Sequence, residues 1–142
     1  LILVMLLRRA GVPVTLVGGR PARLAVGREL GAARAVNYHE AGPDGQAAPF
    51  ARERFELVVE ASGSGAAMHA GLELAAQGAR ILVIGDYAQA RADFSWNRVL
   101  HRELELIGSN AGTGASCGVQ HLSAALAWQT SRAKAVLRHR TP

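Results

Sequence analysis

The residues best placed for chemistry in this 142-residue chain are glycines that follow short apolar runs. Gly18 and Gly19 follow Val14-Thr15-Leu16-Val17, Gly63 comes just after Leu57-Val58-Val59-Glu60, Gly85 follows Ile81-Leu82-Val83-Ile84, and Gly108 follows Leu104-Glu105-Leu106-Ile107. A glycine has no Cβ, so a ligand can approach the backbone closely there. Each alone reads as a turn residue; five at equivalent places read as one edge of a binding site. The scattered ionisable groups offer less. His39, His69, His101, His121 and His139 show no metal-ligand spacing and read as surface or capping residues. Cys117 is the single cysteine, which excludes an internal disulfide and a multi-cysteine zinc site within these residues and suits a reducing compartment.

The elements that must carry those glycines alternate between strand and helix. Val14-Thr15-Leu16-Val17 is compact and β-branched, as a buried strand is. Pro21 suits a first helical turn and Gly31 a helix stop, so residues 23–30 read as a helix with Leu24 and Leu30 inward. Ala35-Val36-Asn37-Tyr38 reads as a second strand, followed by an irregular loop over residues 40–49. Residues 55–60 read as a third strand and residues 61–65 as a flexible turn. A helix fits residues 66–77, with Met68, Leu72 and Ala76 on one stripe and Gly78 as its stop. Arg80-Ile81-Leu82-Val83-Ile84 is the clearest strand. After an irregular stretch containing Trp96, residues 104–108 supply one more. Residues 1–9, rich in leucine and methionine and followed by Gly11, read as the end of a helix packed on the sheet.

Strands alternating with helices, with apolar rather than strictly alternating strand runs, predict a doubly wound parallel α/β sheet covered on both faces. Ligands of such sheets bind outside the carboxyl ends of the strands, where these glycines lie.

Composition agrees with a globular domain: 49% of residues are hydrophobic and 19% charged. The apolar run at residues 1–7 is far shorter than the ~20 residues that span a bilayer. Its basic pair, Arg8-Arg9, follows the run where a secretory signal carries charge first. A start inside an element is the simpler reading of an opening without Met. The net charge of +5 is uneven, with +1 over residues 1–105 and +4 over residues 106–142. The basicity belongs to the tail, where Arg132, Lys134, Arg138 and Arg140 stand with no aromatic stacking residue among them. A solvated tail is favoured over nucleic-acid binding.

Three stretches resemble one family. AGVPVTLVGGRPARLAVGRELGAARAVNY resembles the second βαβ segment of the medium-chain, zinc-type alcohol and polyol dehydrogenases. FELVVEASGSGAAMHAGLELAAQGARILVIG resembles the fourth strand, helix and fifth strand of their cofactor domain, and NRVLHRELELIGSNAG the approach to its sixth strand. The resemblance implies a Rossmann-type domain over residues 1–114 that is incomplete, lacking the first strand and the G-x-G-x-x-G loop, with a divergent basic tail over residues 115–142. It implies strand order 3-2-1-4-5-6, so that a missing first strand leaves either a gap or a non-native pairing between residues 14–17 and 57–60. An isolated chain would then be unstable or prone to aggregate.

The same resemblance places Gly18, Gly19, Arg20 and Arg23 at the adenosine end of a nicotinamide dinucleotide. It places Ala61, Ser62, Gly63, Gly85, Gly108 and Ser109 near the nicotinamide end, acting through backbone and close packing. An enzyme selective for NAD carries Asp or Glu where Gly18 stands; here Arg20 and Arg23 lie just beyond and suit a 2′-phosphate, so the resemblance favours NADP. Asp86 and Tyr87 follow the fifth strand and read either as facing the substrate cleft or as a polar surface turn. Tyr87 with Arg91 four residues on, not lysine, does not make a short-chain dehydrogenase pair.

The family binds zinc in a separate catalytic domain, where the metal polarises a small alcohol substrate. The expectation is therefore a fragment of a cytoplasmic, homo-oligomeric hydride-transfer enzyme, inactive alone, with no catalytic or metal-binding residue of its own. Two other functions stay open: a non-catalytic nucleotide-binding module, which requires NADPH binding without the glycine loop, and a basic interaction protein whose tail binds polyanions.

Overall fold

Leucine and methionine lose little side-chain freedom in a helix, which favours helix over strand at the start of the chain. In the computed structural model, which describes residues 1–40, 50, 52–88 and 94–109, this run forms α1 (Ile2–Arg9) with Val4 and Leu7 buried. Gly11 stops it at a φ of +75°, where a side chain would be strained. Its N–H donates to the Arg8 carbonyl and that of Val12 to the Leu7 carbonyl, both at 2.9 Å. Arg8 and Arg9 in the last turn complement the helix dipole. The chain divides into two compact units, Leu1–Ala51 and Arg52–Pro142.

The first unit continues with β1 (Thr15–Gly18), α2 (Pro21–Glu29) and β2 (Arg34–Asn37). The two strands pair in parallel, Thr15 beside Arg34 through to Gly18 beside Asn37. Pro21 occupies the first turn of α2 as expected, and Gly31 follows its end at a φ of +96°. Leu24 and Gly27 form the buried face of α2. A Cβ at Gly27 would run into the Leu16 side chain, so this glycine lets the helix lie directly on β1. Tyr38, expected in the second strand, instead begins a 3₁₀ turn, Tyr38–Glu40. The cause is local: the Asn37 side chain accepts the His39 N–H at 3.1 Å and donates to Glu40 at 2.8 Å, which bends the chain out of the ladder.

The second unit holds β3 (Phe55–Glu60), α3 (Gly65–Leu74), β4 (Ala75–Val83), α4 (Trp96–His101) and β5 (Glu105–Gly108). The strands run parallel in the order β3-β4-β5. Among the described residues the strands lie in two sheets, β1-β2 in the first unit and β3-β4-β5 in the second. Ile81 and Leu82, neighbours on opposite faces of β4, are both almost fully buried, as a central strand covered on both sides requires. Met68, Leu72, Ala75, Ala79, Ile81 and Leu104 make the core, with Val58, Val83, Tyr87, Phe94 and Val99 packed against it.

Two expectations are corrected here. The helix beginning near Ala66 ends at Leu74, not at Gln77, because Ala75 turns extended and pairs with Phe55. Gly78 therefore stops no helix; at a φ of +65° it turns within the span of β4, its N–H donating to the Arg102 carbonyl at 2.7 Å. Trp96, expected in irregular chain, opens α4. The loop expected over residues 40–49 lies, beyond Glu40, outside the described residues, as does the tail from residue 110 onward.

The early end of α3 has a physical agent. The Arg102 guanidinium Nη1 donates to the carbonyls of Leu72, Glu73 and Ala75 at 2.7, 2.8 and 3.1 Å, taking up oxygens that a helix end leaves unpaired. Replacing Arg102 by methionine keeps much of the stem but strands those carbonyls. The expected loss is about 1–3 kcal/mol of stability, read by urea unfolding. Lysine, with a single ammonium, is expected to recover only part of it.

Candidate functional site

The carboxyl ends of β3, β4 and β5 lie side by side, and Glu60, the last residue of β3, organises the turns that leave them. Glu60 is 4% exposed. A buried carboxylate must be satisfied by donors, and here every side-chain partner is one. Oε1 accepts the Ser62 N–H at 2.7 Å and the Ser62 hydroxyl at 2.5 Å. Oε2 accepts the Gly63 N–H at 3.2 Å and the Tyr87 hydroxyl at 2.5 Å. The main-chain oxygen of the same residue accepts the N–H groups of Ile84 and Gly85 at 2.8 and 3.1 Å. One residue therefore joins the turn after β3 to the loop after β4.

Burial pushes the Glu60 carboxyl up. The donors from the Ser62 and Tyr87 hydroxyls and the Ser62 and Gly63 main chain outweigh it, and the net pKa lies below the usual carboxylate value.

The glycines fit this joint by having no side chain. Gly63 sits at a φ of +69°, and a Cβ on it would meet the Asp86 carbonyl. A Cβ on Gly85 would meet Glu60 Oε2 and the Gly63 main chain. On the other side of β4, Gly108 pairs with Val83, and the Ser109 N–H donates to the Val83 carbonyl at 2.9 Å. Ser109 is 7% exposed and its Oγ has no hydrogen-bond partner among the described residues. Ala61 and Ser62 are exposed on the turn that Glu60 holds. The structure thus brings together Ala61, Ser62, Gly63, Gly85, Gly108 and Ser109 at adjacent strand ends.

The remaining expected site residues lie in the first unit. Gly18 ends β1, and over Gly19 the place of a Cβ is filled by the Tyr38 hydroxyl and the His39 ring. Arg20 is the N-cap residue of α2 and Arg23 lies in its first turn. Both are exposed, and their side chains make no hydrogen bond or ion pair with the described residues. No side chain caps α2, which leaves its first N–H groups free of that partner.

Tyr87 departs from its expected place in a cleft or a polar surface turn: it is half-buried against the core with its hydroxyl on Glu60. Glu60 itself was legible only as a strand residue. Its signal is an acid closing the apolar run Leu57-Val58-Val59, directly before Ala61-Ser62-Gly63.

Two outcomes test this joint. Gly85→Ala is expected to force the two loops apart, lowering stability by about 1–3 kcal/mol, as overpacking at a close contact does. The second concerns pH. A carboxyl whose folded pKa is depressed contributes stability above its unfolded value of about 4.3, and loses it as pH falls through the folded value. Unfolding free energy of the wild type should therefore fall more steeply below about pH 4.3 than that of Glu60→Gln. Parallel pH profiles would show that Glu60 is not held as described.

The chain matches the zinc-binding dehydrogenase family over residues 1–130. No curated protein sequence matches it. Among solved structures it is similar to L-idonate 5-dehydrogenase from Escherichia coli K-12, with 22% identity and a TM-score of 0.65 over 75% of this chain and 30% of that one. It is similar to an NAD-dependent alcohol dehydrogenase, at 21% identity and a TM-score of 0.64, over 88% of this chain and 35% of that one. The yhdH oxidoreductase from Salmonella enterica, in complex with NADP, is 20% identical with a TM-score of 0.59 over 74% of this chain and 31% of that one. The chain thus spans about a third of the length of these structures. Their shared fold is the Rossmann-type parallel α/β arrangement seen here. With the family match running through most of its length, the chain belongs to the zinc-binding dehydrogenase family.

Proposed function

We propose that this chain is the nicotinamide-cofactor-binding part of an oxidoreductase that moves hydride between a small alcohol and NADP, and that it is inactive by itself. The observation that carries the choice of cofactor is the turn after β1. Gly18 offers no carboxylate to a ribose hydroxyl, and the uncommitted guanidiniums of Arg20 and Arg23 stand at the open start of α2. That is a donor set for a phosphate monoester: two planar cations beside main-chain N–H groups at a helix start.

In the second unit, Ala61, Ser62, Gly63, Gly85, Gly108 and Ser109 would receive the nicotinamide end. The Ser109 hydroxyl, buried without a partner among the described residues, and Gly108, where a Cβ would meet nothing, fit a flat polar group held close to the main chain. When bound, the cofactor supplies the hydride donor or acceptor. The residues named here would hold and orient it through main-chain groups and close packing.

The zinc of this family does not fit the residues described. No group of three or more His, Cys, Asp or Glu side chains among them could hold a metal ion. The metal and the alcohol it polarises are assigned to a part of the enzyme outside these residues. A cytoplasmic location and a homo-oligomeric state of the whole enzyme belong to the same proposal. Among the described residues no helix is long and apolar enough to cross a membrane.

Fluorescence titration with NADPH and NADH tests the cofactor choice. Tighter binding of NADPH is expected, and replacing both Arg20 and Arg23 by alanine should weaken it about tenfold or more while leaving NADH little changed. Tighter binding of NADH by the wild type would overturn the assignment.

A further inference from the structure

A charged group at the end of a buried strand needs a reason, because an apolar residue of similar size would cover the core of the second unit without desolvating a charge. Glu60 makes no ion pair among the side chains that hold it; its partners are Ser62, Gly63 and Tyr87, all within two short loops. The two oxygens divide the work. Oε1 closes the turn after β3 on itself through Ser62. Oε2 reaches across to Tyr87, beyond the end of β4, while still holding Gly63.

Loops that leave strand ends are otherwise the parts of a sheet with fewest fixed dihedrals. Here the loops touch. The carbonyl of Asp86 stands where a Cβ of Gly63 would be, and Gly63 with Glu60 Oε2 stands where a Cβ of Gly85 would be. Ala61 and Ser62 are exposed on the turn, whereas Glu60 is buried and Tyr87 half-buried.

We infer that Glu60 is a positioning residue: through Tyr87 it locks the turn after β3 to the loop after β4, and so sets affinity for the nicotinamide half of the cofactor without touching it. This rests on the function proposed above and adds a residue to it. A surface set in advance loses less freedom when a ligand binds, so unlocking the loops weakens binding even where every contact residue is intact.

The experiment compares wild type, Tyr87→Phe and Glu60→Gln in the full chain. It measures amide exchange at Ser62 and Gly63, and affinity for NADPH and for 2′,5′-ADP, which has no nicotinamide. Tyr87→Phe removes one hydroxyl, keeps the aromatic packing, and guards against a Glu60→Gln chain that does not fold. Both variants are expected to exchange faster at Gly63 and to bind NADPH about three- to tenfold more weakly, with 2′,5′-ADP unchanged.

Loss of affinity for both ligands alike would mean general loosening and would overturn the inference. So would faster exchange with unchanged NADPH affinity, or unchanged exchange at both amides. If the wild type binds neither ligand, the proposed function fails and the inference falls with it. If the wild type binds NADPH and the variants match it, the inference alone fails.

Discussion

A carboxylate taken out of water must find donors for both oxygens, and in the second unit that requirement shapes everything at the strand ends. Glu60 obtains its donors from Ser62, Gly63 and Tyr87. To present its N–H, Gly63 takes a left-handed conformation, and the Asp86 carbonyl then fills the space beside it. To let the second loop close over the carboxylate, residue 85 must have no Cβ. The glycines that first suggested a binding edge are thus explained in part by the polar joint beneath them. The space that a side chain would take at Gly63 and Gly85 is filled by the joint itself, whereas nothing stands beside Gly108.

The sheets beneath this joint rest on a different constraint. Parallel strands need a crossover, and the crossovers from β1 to β2 and from β3 to β4 are anchored where small residues permit close approach. Gly27 lets α2 settle on Leu16. Ala75 and Ala79, almost wholly buried, allow the chain to leave α3 and enter β4 in tight quarters, with Gly78 turning between them. Arg102 then fastens that junction by taking three carbonyls at the helix end, and its ion pair with Glu73 ties the same guanidinium to α3. Strand ends that are fixed at their amino-terminal approach can hold loops in register at their carboxyl ends.

Most of this was legible in the chain because it depends on local rules. Apolar β-branched runs marked the strands, and Pro21, Gly11 and Gly31 marked helix boundaries, since backbone geometry at those positions follows from the residue itself. The errors came where a distant partner decided. Gly78 looks like a helix stop in sequence, yet Arg102, more than twenty residues on, ends the helix first. Tyr38 looks like a strand residue until Asn37 folds its side chain back on His39. Periodicity missed α4 because six residues are too few to display it. Glu60 was hidden for a related reason: a charged residue in a strand usually faces solvent, and only the fold brings Tyr87 to it.

The two candidate recognition surfaces use opposite physics. Arg20 and Arg23 are exposed cations, whose pull on a phosphate is spread through water and weakened by salt. The strand ends of the second unit offer main-chain groups, the Ser109 hydroxyl without a partner among the described residues, and a buried charge already spent on its own donors. Attraction there depends on shape and on how firmly the loops are held, so added salt should hardly reach it. Charge in the first unit therefore suits discrimination between cofactors that differ by a phosphate. Preorganisation in the second suits holding a flat ring in one orientation.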